Sequence, residues 1–352
     1  MKKILSIIVP TYNMESLLQA DLQSLVLDEN LLTKIEVLVI NDGSKDRSSD
    51  IAHEFEAKYP ESFIVIDKEN GNYGSCINVG LKKAKGRYIK ILDADDSLDS
   101  QVFAGFIKEL EHVNADIVFN DYAKTYALGR IKDYIFDLPV RQELSIEDVI
   151  NNAALRRIQL PSITYRKAIF DGLDYHQTEG ISYTDMEWCF SPVINAKTVY
   201  YIPGRLYLYF MGREGQTMDP KVFKKGIGDR VQVLINMIKC ESKLDLNDFT
   251  KRFLDNQLLR HIVYVYCFYL IDSPETDRTK FVEFDEALRQ LNPDVYQKSG
   301  LFEYRKRISY KFVAEWREKR YKRVPLHIRM YERVLDFIGS RHAKMLRAVN
   351  ED

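Results

Sequence analysis

Residues 4–9 form an apolar run interrupted only by Ser6, the pattern of a strand buried on both faces. Leu17, Leu18, Leu22, Leu25 and Val26 then recur at helical spacing, and residues 35–40 read as a second buried strand. The series continues with a helix over 48–58, a strand over 63–67, a helix over 74–85 and a strand over 88–92. A helix over 101–111 and a fifth strand over 117–120 complete it. Strands alternating with helices predict right-handed crossovers and an α/β fold with a mainly parallel sheet flanked by helices. After Asp121 this rhythm fades, and residues 144–209 read as mixed helices and short strands. From Asp219 onward the pattern is helical: 222–240, 249–271, 280–291 and most of 304–349. We therefore expect two domains, residues 1–219 and a mostly helical 220–352, with the boundary near Pro220.

The strand ends carry the candidate chemistry. The first strand ends in Pro10-Thr11-Tyr12-Asn13, the second in Asn41-Asp42-Gly43-Ser44, the third in Glu69-Asn70-Gly71 and the fourth in Asp93-Ala94-Asp95-Asp96. In a parallel sheet these four ends share one edge, where open α/β folds bind ligands. Three carboxylates within four residues repel one another unless something positive sits among them. Mn²⁺ or Mg²⁺ bridging carboxylate and diphosphate is one reading; an acidic turn, with Ser97 or Asp99 capping the next helix, is the other. Asn41-Asp42-Gly43-Ser44 is a good turn, or a place where Asp42 accepts hydrogen bonds from a ribose or base. Tyr12 either packs under the sheet edge or stacks on a nucleobase. Gly71, Gly74 and Gly80, with Asn70, Asn72 and Asn78, allow backbone to approach a ligand. They match neither G-x-G-x-x-G nor the P-loop, so dinucleotide binding and NTPase readings have no support.

Charge narrows the partners. Lys plus Arg number 51 and Asp plus Glu 52, so the balance points to no polyanionic partner. Cys76, Cys189, Cys240 and Cys267 show no metal-like spacing and read as small hydrophobes in a reduced, cytoplasmic setting. The N-terminal apolar run is too short for a signal peptide. The longest apolar run, 262–271, is half of the roughly 20 residues a spanning helix needs. Arg305, Lys306, Arg307, Lys311, Arg317, Lys319, Arg320, Lys322, Arg323, Arg329 and Arg333 crowd the C-terminal region. Tyr304, Phe312, Trp316, Tyr321, Leu326, Tyr331, Leu335 and Phe337 are interleaved with them. Such a face either lies on the inner, anionic surface of the plasma membrane or meets a protein partner, a homo-oligomer included. The alternative is a solvated face over core aromatics. No recognised module accompanies the charge, so nucleic acid is not expected.

In their order, P-T-Y-N, N-D-G-S, E-N-G-N-Y-G-S-C-I-N-V-G and G-R-Y-I-K-I-L-D-A-D-D resemble the N-terminal half of the family 2 glycosyltransferases, inverting enzymes of the GT-A fold. The resemblance is strong over residues 4–121 and looser to about 218. It implies a nucleotide-sugar donor, a UDP-hexose or UDP-N-acetylhexosamine, and a glycan, lipid-linked or protein-linked acceptor. It implies that Asp42 contacts the nucleoside, that Asp95 faces ribose or metal, that Asp96 is the more direct metal ligand, and that Asp93 supports them. Pro10, Thr11, Tyr12, Asn13, Asn70, Gly74 and Asn78 would then surround the donor. The family places a catalytic base in an acidic pair after a Gly-containing loop, here Glu179 to Trp188, where Asp185 is the match. Thr184 stands where members often have Glu, and Glu187 is the second candidate. An inverting transfer needs such a carboxylate to take the acceptor proton; alternatively Asp185 caps the helix that follows. Arg213, in the segment Tyr207 to Thr217, matches a loop that closes over the diphosphate; a solvated loop arginine is the alternative. Trp188 and His176 are acceptor-pocket candidates, or a core tryptophan and a surface histidine. Sugar-nucleotide synthesis would call for a Gly-rich, Arg-containing loop after the first strand, which Pro10-Thr11-Tyr12-Asn13 is not. The rival from another class is a catalytically silent glycan-binding or scaffold protein, encouraged by Thr184.

Overall fold

The computed structural model describes residues 2–126, 129–149, 158–213, 216, 220–304, 310–321 and 324–331. Two compact units divide the chain, residues 1–216 and 217–352.

The first unit begins β1 (Leu5–Thr11), α1 (Leu18–Ser24), α2 (Glu29–Leu32), β2 (Ile35–Asn41), α3 (Ser48–Lys58), β3 (Phe63–Asp67), α4 (Asn72–Lys83) and β4 (Tyr88–Ile91). β5 (Ser97–Leu98), α5 (Ser100–Leu110), β6 (Ile117–Tyr126), β7 (Ile131–Tyr134), β8 (Glu143–Ser145) and α6 (Ile146–Val149) follow. β9 (Ile163–Arg166), α7 (Asp185–Trp188) and β10 (Thr198–Met211) complete it. The strands order as β3-β2-β1-β4-β9-β6-β10-β5, with β7 on β6 and β8 on β10. The first four are mutually parallel, as their apolar runs predict, and β1 and β2 are buried along their whole length.

Beyond β4 the sheet becomes mixed. β9 runs antiparallel between β4 and β6, and β10 runs parallel to β6. β6 extends past its expected end because Asp121 is satisfied in the interior. Its carboxylate accepts from Tyr201 Oη (2.7 Å), Phe136 N (2.9 Å) and Gly204 N (2.9 Å). A buried acid so bonded does not end a strand.

The second unit contains α8 (Pro220–Glu241), α9 (Asp248–Cys267) with a π-helical turn over Phe268–Asp272, α10 (Thr279–Leu291), α11 (Pro293–Gly300) and α12 (Phe312–Lys319). α11 is an element the apolar pattern did not separate; Pro293 opens it and the Asn292 side chain caps it through Val295 N at 3.1 Å. Part of the basic, aromatic stretch is described. Phe312 and Trp316 are core residues, and Arg317 turns inward to Asp285 at 2.9 Å. Leu326 and Tyr331 are exposed. Arg305, Lys306, Arg307, Lys322, Arg323, Arg333, Leu335 and Phe337 lie outside the described residues, as do Glu214, Gly215 and Thr217. Among the described residues no helix is long and apolar enough to cross a membrane.

Candidate active site

A cavity of about 560 Å³ opens at the carboxyl ends of β1, β2 and β3, within the size range of small-ligand sites. Tyr12, Gly43, Lys45, Asp67, Lys68, Glu69 and Asn70 line it. Tyr12 is 46% exposed, so its ring is presented to the cavity and not packed under the sheet. Asn13 ties the neighbouring loops together: its N donates to Ser44 Oγ (3.1 Å) and its Oδ1 accepts from Lys45 N (2.8 Å). Pro10 and Thr11 are buried within β1 and support the cavity from below.

Asp42 fixes the cavity floor. Its Oδ1 accepts from Lys68 Nζ (2.6 Å) and Gly71 N (2.9 Å), and its Oδ2 from Asn72 N (2.9 Å). Asn70 Nδ2 donates to the Asp42 carbonyl at 2.9 Å. Gly43 sits at φ +73°, with the backbone of Lys68 and Asn70 just beyond where a Cβ would project. Both its conformation and its neighbours call for glycine.

The acidic cluster is a tight turn closed by Asp96 N to Asp93 O at 2.9 Å. Asp96 turns inward: it is 5% exposed, its Oδ2 accepts from Tyr207 Oη (2.6 Å) and its Oδ1 from Phe210 N (2.7 Å). Asp93 and Asp95 keep the outer positions. Asp93 Oδ1 accepts from Tyr73 Oη at 2.7 Å, and Asp95 Oδ2 accepts from Arg213 Nε (3.0 Å) and Nη2 (2.9 Å). The helix cap is Asp99, whose Oδ1 accepts from Gln101 N and Val102 N.

Negative charge accumulates here. Burial, then the Asp95 charge, raises the Asp93 carboxyl to about 7 against the Tyr73 hydrogen bond. Burial, then Asp93 and Asp95, holds Asp96 well above the carboxylate range. Asp21, on α1, is 1% exposed with neither carboxyl oxygen hydrogen-bonded; burial and the same two acids raise it also. The Tyr209 phenol is raised by burial and then by the charges of Asp96, Asp93, Asp185 and Asp95, so all four acids lie within electrostatic reach of its hydroxyl. Among the described residues no three His, Cys, Asp or Glu side chains already stand as a coordination set.

Asp185 reaches this cluster from α7. It is exposed, whereas Glu187 is buried with Oε2 on Thr178 N and Oε1 on Thr178 Oγ1, both 2.7 Å. Glu187 therefore holds the loop, and Asp185 is the exposed carboxylate of the two. Thr184 is fully buried and accepts from Gln177 Nε2 at 3.1 Å, which accounts for the position where a Glu was expected. Gly180 and Tyr183 both take positive φ in this loop, 76° and 66°.

Two donor candidates pack against the loop that carries Asp185. Gly74 admits the Thr178 carbonyl, which a Cβ would meet at 2.0 Å; the backbone that approaches it belongs to the Asp185 loop. Asn78 grips the same loop, donating to Gln177 O (2.9 Å) and Glu179 Oε1 (2.8 Å) and accepting from Gln177 N (2.9 Å). Trp188 is a core residue against Tyr165 and Phe170, and the His176 side chain is 66% exposed. Sequence reasoning missed Tyr73, Tyr207, Tyr209, Lys68 and Gln216. The Tyr207/Tyr209 pair had a readable signal, since residues two apart on a strand share a face.

With this geometry in hand, comparison with known proteins gives a consistent picture. Residues 6–133 match the sequence model of glycosyl transferase family 2. The uncharacterized glycosyltransferase EpsJ of Bacillus subtilis is 39% identical over 115 residues, 33% of this chain and 33% of that protein. Poly(ribitol-phosphate) beta-N-acetylglucosaminyltransferase TarS of Staphylococcus aureus is 25% identical over 215 residues, 61% of this chain and 36% of that protein. The chain thus spans about a third of the length of these two relatives. The crystal structure of S. aureus TarS 1-349 in complex with UDP-GlcNAc matches with a TM-score of 0.68 at 19% identity, over 90% of this chain and 92% of that one. The fold is shared: a GT-A sheet flanked by helices, with a helical C-terminal region.

Proposed function

We propose, from the match of residues 6–133 to the sequence model of glycosyl transferase family 2, that the chain is an inverting enzyme of that family. In this reading it moves a hexose or N-acetylhexosamine from a UDP-sugar to a glycan, lipid-linked or protein-linked acceptor. The observation that carries the reading is the acidic turn after β4, where Tyr73 donates to Asp93, Arg213 to Asp95 and Tyr207 to Asp96, at the sheet edge that also bears the cavity. The fold shared with TarS 1-349, crystallised with UDP-GlcNAc, supports a uridine nucleotide as donor.

The roles follow from position. Tyr12 offers its ring to the base, and Asp42, with Asn70, holds the cavity floor in shape. Arg213 supplies the guanidinium for the diphosphate, a bidentate match to phosphate oxygens. Asp185, exposed at the start of α7, takes the proton of the attacking acceptor hydroxyl. Asp93, Asp95 and Asp96 crowd three carboxylates into one turn, a donor set that suits a hard divalent cation. Mn²⁺ or Mg²⁺ would be held by Asp95 with Asp93 beside it, while Asp96 keeps the turn fastened to β10. Such an ion, when bound, stabilises the departing diphosphate as a Lewis acid. The catalytically silent alternative loses its one support, because Thr184 is occupied by Gln177 and Asp185 is not displaced.

The test is a panel of nucleotide sugars incubated with the protein and Mn²⁺, with release of free nucleotide as the readout. Turnover of a UDP-sugar that chelation stops is expected; no cation-dependent turnover of any of them would overturn the reading.

A further inference from the structure

Gln216 attracted no attention as a sequence position, yet its side-chain amide is saturated. Its Oε1 accepts from Gly212 N (2.9 Å) and Arg213 N (3.2 Å), and its Nε2 donates to Phe210 O (2.7 Å) and Asp95 Oδ2 (3.3 Å). Two acceptor sites and two donors are all that a carboxamide has. The residue is 8% exposed, so these bonds are made largely out of water. Their effect is to fold Gly212 and Arg213 back over the end of β10. Gly212 takes φ +101° there, a conformation open chiefly to glycine.

From that position Arg213 reaches Asp95. Its Nε and Nη2 lie 3.0 and 2.9 Å from the same Oδ2 that Gln216 touches. One carboxylate oxygen therefore faces three N–H donors, two of them from a guanidinium. It belongs to the acid to which the preceding reading gives the divalent cation. A guanidinium and a divalent ion both neutralise Asp95, and both draw on the lone pairs of that oxygen.

We propose that Gln216 is a positioning residue that seats Arg213 on Asp95 in the donor-free protein, so that Arg213 and the divalent cation compete for this carboxylate. The donor diphosphate then resolves the competition by drawing the guanidinium to itself and leaving Asp95 to the cation. This inference rests on the nucleotide-sugar reading of the site. Its consequence is a positive coupling between cation and nucleotide, each binding better when the other is present.

The test uses the full chain and two ligands, Mn²⁺ alone and UDP with saturating Mn²⁺, each followed by calorimetry. Arg213→Ala and Gln216→Met should each bind Mn²⁺ alone about fivefold more tightly than wild type, the size of a partly exposed charge-assisted contact. Arg213→Ala should bind UDP with Mn²⁺ about tenfold more weakly, the loss of one guanidinium–phosphate pairing. Opposite signs for the two ligands separate this account from a merely structural role, since a damaged fold weakens both. Unchanged or weaker Mn²⁺ binding by Arg213→Ala, with melting like wild type, overturns the proposal even if Gln216→Met does not fold. If wild type binds no UDP in Mn²⁺, the nucleotide-sugar reading fails, and the Mn²⁺ titrations still decide whether Arg213 competes at Asp95.

Discussion

Two buried aspartates, one in each unit, make the same contact with a phenol and differ in what else they meet. Asp285, 2% exposed, accepts from Tyr266 Oη at 2.6 Å; Asp96, 5% exposed, accepts from Tyr207 Oη at 2.6 Å. Asp285 also accepts from Arg317 Nε at 2.9 Å, with Arg320 Nη1 at 3.5 Å. The second partner of Asp96 is the neutral Phe210 N–H at 2.7 Å, and its charged neighbours are Asp93 and Asp95. The hydrogen bonding is comparable; the counter-charge is not. In the second unit an acid is buried together with its cation, as a structural pair must be. At the sheet edge, carboxylates outnumber the cation that meets them, and burial turns that surplus into raised proton affinity. A surplus of this kind is what a cation from solution would relieve.

The largest effect expected from this contrast is catalytic. Asp185→Asn should lower transfer by about a thousandfold, in the range of a lost general base, while calorimetric UDP binding stays within a few-fold of wild type. A rate close to wild type would move the base elsewhere.

Next is the structural pair. Arg317→Met strands Asp285 in the interior and should destabilise the protein by about 3–5 kcal/mol in denaturant unfolding. Tyr207→Phe removes only a hydroxyl from Asp96 and should cost about 1–3 kcal/mol. If the two variants melt alike, counter-charge is not what distinguishes the two acids.

The smallest effect is on pH dependence. A carboxyl raised in the folded state favours folding while it is protonated, and that contribution is lost as pH rises from its unfolded value towards its folded one. For Asp93 the window runs from the ordinary carboxylate range, about 4, up to about 7. Melting temperature should therefore fall between pH 5 and pH 7, and Mn²⁺ should restore more of it at pH 7 than at pH 5. Equal Mn²⁺ effects at both values would count against a charge surplus at this edge.

How far the sequence discloses this contrast depends on the residue. The four parallel strands are legible because their runs are predominantly apolar and each ends in a polar turn. β9 is not, because a four-residue strand inserted antiparallel leaves no period to read. Nor is the full length of β6, where Asp121 has the composition of a strand end but the bonding of a core residue. In the site, the acids of Asp93-Ala94-Asp95-Asp96 are evident as residue types. The direction each one faces follows from a turn closed by a backbone bond, which composition does not encode. Gly74 and Asn78 invite a ligand reading because glycine and asparagine permit close approach. What approaches them is the chain itself, a hundred residues on, in the loop that presents Asp185. Gln216 is invisible beforehand, since its importance lies wholly in four bonds made by the folded loop.

The central claim is that Asp95 and not Asp96 meets the cation that holds the nucleotide. It is tested most directly by titrating UDP into wild type, Asp95→Ala and Asp96→Asn, with and without Mn²⁺. The account predicts Mn²⁺-dependent UDP binding in wild type, its loss in Asp95→Ala, and its persistence in a folded Asp96→Asn at somewhat reduced affinity. Mn²⁺-dependent binding that survives in Asp95→Ala and vanishes in Asp96→Asn would contradict it.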